Sequence, residues 1–252
     1  MKKRWLILAF VLSALGTGLF SAPAAYLYAW LAPVGLPVVP AGIDGTVSNG
    51  TVRAVAWQGR TVVRDVAWDW RPTDLFTLSA GWHLRFAGTA TGESAVRVSL
   101  GGTPDVTDLR AVADVAAILE AAGYSGLPLR GRVVAEVERL RVSPAGLPES
   151  VTGNVQLLQL AWSVGSNPLV MGDFRADVST DAEGRLVADI TSADGSPVEA
   201  TGEASLGPDG SYEAHVRVRA RPDAPEQIRN LLGLIGRPDN DGFYHLRQRG
   251  RL

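Results

Sequence analysis

The chain has 252 residues, a formal net charge of -2 and no cysteine. That length supplies one domain or two small halves with real cores, and the charge excludes a strongly basic nucleic-acid binder. The absence of cysteine removes disulfides, thiolate nucleophiles and Cys-ligated metals.

Residues 1–4, Met-Lys-Lys-Arg, form a basic tip, expected to be cytoplasmic. Behind it an apolar run from Trp5 to Trp30 carries no charge, and the next charged residue is Asp44. About 20 apolar residues cross a bilayer core. Trp5, Tyr26, Tyr28 and Trp30 sit where interfacial aromatics belong. The run is therefore expected to be a single transmembrane anchor over 5–30, with the rest of the chain in the periplasm. A cleaved secretory signal is the alternative, since Ala22-Pro23-Ala24-Ala25 offers small residues for cleavage. The apolar character continues past the usual signal core of about 7–15 residues, which favours the anchor. Both readings export the body.

Residues 31–44 contain three prolines and read as a stiff extended spacer. A β-rich body is expected over 45–252, in halves of about 45–123 and 124–252. Twenty-eight glycines and seven tryptophans fit strands punctuated by turns. Two Gly-Thr-Val units, at Gly45 and Gly50, suggest two strands around a tight turn at Asn49-Gly50. Val62, Val63, Val66 and Trp68 lead to Pro72, which ends the strand. Trp82, Leu84 and Phe86, then Val96, Val98 and Leu100, alternate with polar residues, the mark of half-buried strands. Val106, Leu109, Val112, Ala113, Ala116 and Leu119 fall at steps of three and four, which predicts an amphipathic helix over 105–122.

From Gly131 the period returns to two, with a phase slip that places a bulge near Glu138-Arg139. Strands are expected around Phe174–Val178, Leu186–Ile190 and Tyr212–Val218, with turns at 181–184, at Asp194-Gly195 and at 207–210. A second helix over about 224–235 places Ile228, Leu231, Leu232 and Ile235 on one stripe. A last strand runs from Phe243 to Arg249. Gly59, Val63, Val66, Ala67 and Trp68 match Gly153, Leu157, Leu160, Ala161 and Trp162 at one offset. The fold class is thus mostly β with two short helices. Its antiparallel, curved sheets are expected to come from two related β modules, in which Trp68 and Trp162 are structural residues at equivalent, largely buried places.

The search for chemistry is negative. His83, His215 and His245 lie on the polar phase of three strands, with no spacing that makes a metal site. Neither a Gly-x-Ser-x-Gly elbow nor a phosphate loop is present. Asp65 and Asp69 are the polar neighbours that alternation dictates. No catalytic, cofactor or metal residue is assigned. Arg217, Arg219, Arg247 and Arg249 stand out in a basic run at the C-terminal end. They either guard a sheet edge or bind an acidic partner or lipid headgroups.

The closing stretch, Arg221-Pro222-Asp223-Ala224 through Leu231-Leu232-Gly233 to Asp241-Gly242-Phe243-Tyr244-His245-Leu246 and Gly250-Arg251-Leu252, resembles the C-terminal signature of type II secretion system protein N. The anchor, the Pro-rich exit, Gly45-Thr46-Val47-Ser48-Asn49-Gly50 and the Val63-to-Pro72 strand resemble that family in the same order. The resemblance implies an inner-membrane, periplasm-facing accessory of the machine that sends folded proteins across the outer membrane. Its partners would be other secretion subunits, and it implies no catalytic residues. A lipid-handling β-groove, similar to AsmA, is the alternative and would require a continuous apolar concave face. An exported hydrolase is the least supported reading, because no catalytic constellation is present.

Overall fold

A computed structural model describes residues 21–31, 38–57, 60–77, 79–99, 103–121, 123–124, 126–143, 148–163 and 167–251. Most of the expected anchor, residues 5–20, and the spacer residues 32–37 lie outside the described residues. Among the described residues no helix is long and apolar enough to cross a membrane.

Among the described residues thirteen strands form one antiparallel sheet in which every strand pairs with its sequence neighbour. They are β1 (Val38–Gly45), β2 (Asn49–Trp57), β3 (Arg60–Arg71), β4 (Ser79–Ala87), β5 (Ala90–Ser99), β6 (Pro104–Asp114) and β7 (Leu129–Val142). β8 (Pro148–Trp162), β9 (Leu169–Thr180), β10 (Leu186–Ser192), β11 (Val198–Leu206), β12 (Ser211–Ala220) and β13 (Tyr244–Arg251) complete it. Among the described residues three short α-helices accompany the sheet: α1 (Ala24–Leu31), α2 (Val115–Ala121) and α3 (Glu226–Gly233). The strands among the described residues thus form a single sheet rather than several; α2 and α3 fall within the two stretches expected to be helical in the body, and α1 overlaps the end of the expected anchor.

Local chemistry explains the departures from the sequence reading. The expected helix over 105–122 is strand up to Asp114 and helix only from Val115 to Ala121. Asp108 takes φ 53°, and the β5–β6 register slips there: Glu93 pairs with Arg110, but Ala95 pairs with Thr107. A bulge adds one residue to a strand, so the inward step from Val106 to Leu109 becomes three and imitates a helix. The phase slip in β7 is the expected bulge, with the register to β8 shifting between Val137 and Arg139.

The first hairpin turns at Thr46–Ser48, just before the expected Asn49-Gly50. The Thr46 N–H donates to the Asn49 carbonyl at 2.7 Å, and the Thr46 and Ser48 hydroxyls bond at 2.8 Å. Gly50 instead lies in β2 opposite Trp68. A β-carbon on Gly50 would collide with the Trp68 indole. Val38–Gly45, mostly drawn from the expected spacer, is an edge strand. An edge is where a strand tolerates a residue such as Pro40, which has no N–H.

Register divides the sheet into two faces. One row runs Phe86, Gly92, Ala111, Ala135, Val155, Ala176, Ile190, Gly202, Val216, Leu246 from β4 to β13, apolar throughout. The neighbouring row on the other face runs Arg85, Glu93, Arg110, Glu136, Asn154, Asp177, Asp189, Glu203, His215, Arg247. Strand alternation alone separates them.

The apolar face is densest under α3. There Ile228 and Leu232 pack on Val198, Ala200 and Val218, with Phe174, Met171 and Tyr244 around them. Ile228 has 0% exposure. Glu226 in the first turn of α3 complements the helix dipole, and the Arg229 guanidinium donates to the Pro222 carbonyl at 2.6 Å.

Trp68 and Trp162 are both partly buried. They occupy corresponding places in β3 and β8. Asp65 (φ 48°) and Gln159 (φ 52°), three residues before each tryptophan, share a left-handed backbone. Register breaks accompany both: between Arg64 and Ala67 against β4, and between Leu157 and Ala161 against β9.

Candidate interaction surfaces

β12 and β13 bring the four singled-out arginines onto the polar face of one sheet edge, yet they do different things. The Arg219 guanidinium donates to Glu199 at 2.8 Å and lies 4.4 Å from the centroid of the Phe243 ring. Arg217 approaches the same ring at 5.2 Å. These two clasp the loop that leads into β13, through cation–π contacts and one ion pair. Arg247 and Arg249 are exposed and make no ion pair among the described residues. They stand beside His215 and Glu213 of β12. Arg251 is held by Asp209, donating to its carbonyl at 3.1 Å.

The same edge joins two histidines that sequence spacing leaves apart. His245 Nε2 lies 2.8 Å from Asp239 Oδ2, and His245 Nδ1 lies 3.1 Å from His215 Nε2. The rings stack with centroids 5.4 Å apart. The His245 hydrogen bond, with N–H donors from Phe243 and Asp241, holds the Asp239 carboxyl below the usual carboxylate range. An ionised Asp239 only accepts, so His245 Nε2 is the donor. This relay fastens the loop before β13 onto β12. Beside it a polar cleft of about 480 Å³ is bordered by Asp189, Glu203, Thr191 and Arg217. No group of three or more His, Cys, Asp or Glu among the described residues is placed to hold a metal. The polar phase of each histidine is legible in the sequence. Their meeting depends on the Arg217–His245 register, for which the sequence carries no local signal. His83 stands apart, 3.6 Å from Glu93.

The opposite face carries an apolar pocket at the far end of the sheet. It measures about 360 Å³ and is bordered by Tyr28 of α1, Ile43, Val52, Trp68, Trp82 and Leu84. Its two tryptophans spend their N–H groups on the first hairpin. Trp68 Nε1 donates to the Thr46 carbonyl at 3.1 Å and Trp82 Nε1 to the Val47 carbonyl at 2.8 Å. Only their ring faces remain for the pocket. The hairpin is tied in turn to the segment before α1, because the Val47 N–H donates to the Ala22 carbonyl at 3.0 Å.

A thirteen-stranded antiparallel meander with one apolar and one charged face defines an all-β protein. The description "Type II secretion system (T2SS), protein N" matches residues 37–247, and the chain belongs to that family. Among curated proteins it is similar to "Type II secretion system protein N" of Vibrio cholerae serotype O1. The two are 27% identical over 242 residues, covering 88% of this chain and 89% of the relative. No solved structure matches.

Proposed function

We propose that this protein is an inner-membrane-anchored, periplasmic accessory component of type II secretion. It supports export of folded proteins across the outer membrane by noncovalent contacts of its sheet, without catalysis. The family match over nearly the whole sheet carries this reading. The basic tip and uncharged run at residues 1–30 support the anchor. The exposed basic edge at β13 supports docking to other secretion subunits. Nucleic acid is not a partner in this reading, and no cofactor takes part. The test is to delete the gene and compare exoproteins in the medium with those in the periplasm. Folded cargo accumulating in the periplasm is the expected result. Unchanged export under conditions where the other secretion genes are essential would refute it.

One observation favours a second reading, lipid handling. The apolar row crosses ten strands, and each of its members is at least partly exposed. A continuous apolar face is one of the two features a lipid groove needs, concavity being the other. Under this reading deletion leaves export intact and alters detergent sensitivity of the outer membrane.

A further inference from the structure

The two edges of the sheet are unlike. β1 carries Pro40, which lacks an N–H, and Gly42 at φ 70°, which breaks the extended backbone. Both features blunt an edge against pairing. β13 has neither. From His245 to Arg251 it is exposed, and among the described residues it pairs on one side only, with β12. Its polar face presents Arg247 and Arg249 without ion pairs among the described residues. Its other face presents Leu246, 41% exposed, the last member of the apolar row. The polar row reaches Arg247 through Asp177, Asp189, Glu203 and His215.

Arginines on an edge have two consequences of opposite sign. A second copy adding antiparallel to β13 would set arginine against arginine, and directly opposed like charges destabilise a strand pair. A strand with carboxylates at alternate positions would meet the same arginines favourably, while its intervening side chains extended the apolar row beside Leu246. The edge therefore rejects itself and accepts one pattern.

We propose that β13 is the docking edge for a strand of a partner protein in which acidic and apolar residues alternate. The carboxylates lie against Arg247 and Arg249, and an apolar side chain lies against Leu246. This rests on the reading that the protein works by noncovalent contacts, and it names the kind of partner.

The test uses the full chain in detergent micelles and labelled eight-residue peptides, read by fluorescence anisotropy. One peptide alternates Glu and Val. A second has the same composition in two blocks. A third alternates Lys and Val. A fourth is the first with alternate backbone amides methylated. Only the unmethylated Glu-Val peptide is expected to bind. Arg247→Glu with Arg249→Glu should weaken it at least tenfold and create binding of the Lys-Val peptide. The milder Arg247→Gln, Arg249→Gln pair should weaken it without reversing the preference, and thermal unfolding checks that both variants fold. Equal binding of the blocked or methylated peptide would overturn strand addition, and no binding by any peptide would overturn the docking edge. The gene-deletion assay separates the two claims. If deletion stops export while no peptide binds, the docking edge falls and the secretion reading stands. If the Glu-Val peptide binds as expected and deletion leaves export intact, the docking edge stands and the secretion reading falls.

Discussion

Ile228→Ala tests whether α3 is fastened to the sheet by packing. Ile228 is fully enclosed by Leu232 of its own helix and by Val198, Ala200 and Val218 of β11 and β12. The change removes three carbons, worth about 2.4 kcal/mol at about 0.8 kcal/mol each. The walls belong to strands paired on both sides, so they cannot close in, and a cavity of about 60 Å³ adds about 1.5 kcal/mol. The expected loss is about 4 kcal/mol, a large part of the roughly 5–15 kcal/mol typical of a domain. It should appear as a lower urea midpoint for the full chain in micelles, followed by tryptophan fluorescence. Leu234→Ala, at the C-terminal cap of α3, is the control. Leu234 is 82% exposed, so its loss should stay within about 0.5 kcal/mol. A loss below about 1 kcal/mol for Ile228→Ala would mean that α3 is not held by this cluster.

Four further outcomes are expected. Trp68→Ala and Trp162→Ala should each cost about 2 kcal/mol, less than the roughly 3–5 kcal/mol of an enclosed tryptophan, because both are half-buried; urea midpoints check this. Asp239 has its carboxyl held below the usual range by His245. It therefore contributes stability above about pH 4 that is lost as pH falls through its folded value. Asp239→Asn should flatten the acid side of a thermal-midpoint profile between about pH 2 and 5. A reporter active only in the periplasm should work when fused after Leu252, and alkaline carbonate should not extract the chain; a mature N-terminus at Ala25 would rule out the anchor. Deleting residues 221–252 removes α3 and β13, and should abolish export as fully as deleting the gene.

Strands are the most legible elements, because alternation is written in each of them. Trp82, Leu84 and Phe86 place β4, and Tyr212 to Val218 place β12. β11 gives a weaker signal, since its inward residues Ala200, Gly202 and Ala204 are too small to stand out against Thr201 and Glu203. β6 reads as helix because a bulge at Asp108 changes its step from two to three. The same step in β7 reads correctly, since a clean period of two precedes it. The site is less legible than the fold. The four arginines are visible as a run, but their division into two that clasp Phe243 and two that face outward depends on where the loop before β13 lies. Asp239 is bonded by Asp241, Phe243 and His245, all within six residues of it, so its signal is the turn at Asn240-Asp241-Gly242, where Asp is ordinary turn chemistry and does not stand out.

The two faces of the sheet bear on one another at the open edge. An added strand cannot satisfy only one of them, because its side chains must alternate as those of β13 do. If its carboxylates meet Arg247 and Arg249, its remaining side chains fall on the apolar side, beside Leu246. A partner chosen by charge is thereby also chosen for covering apolar surface. A uniformly acidic strand would match the arginines and leave carboxylates against the apolar row, where desolvation opposes them. A uniformly apolar strand would cover Leu246 and bury the arginines without partners. Only alternation satisfies both faces, and this is why the order of residues in the partner strand, more than its net charge, should decide which segment docks.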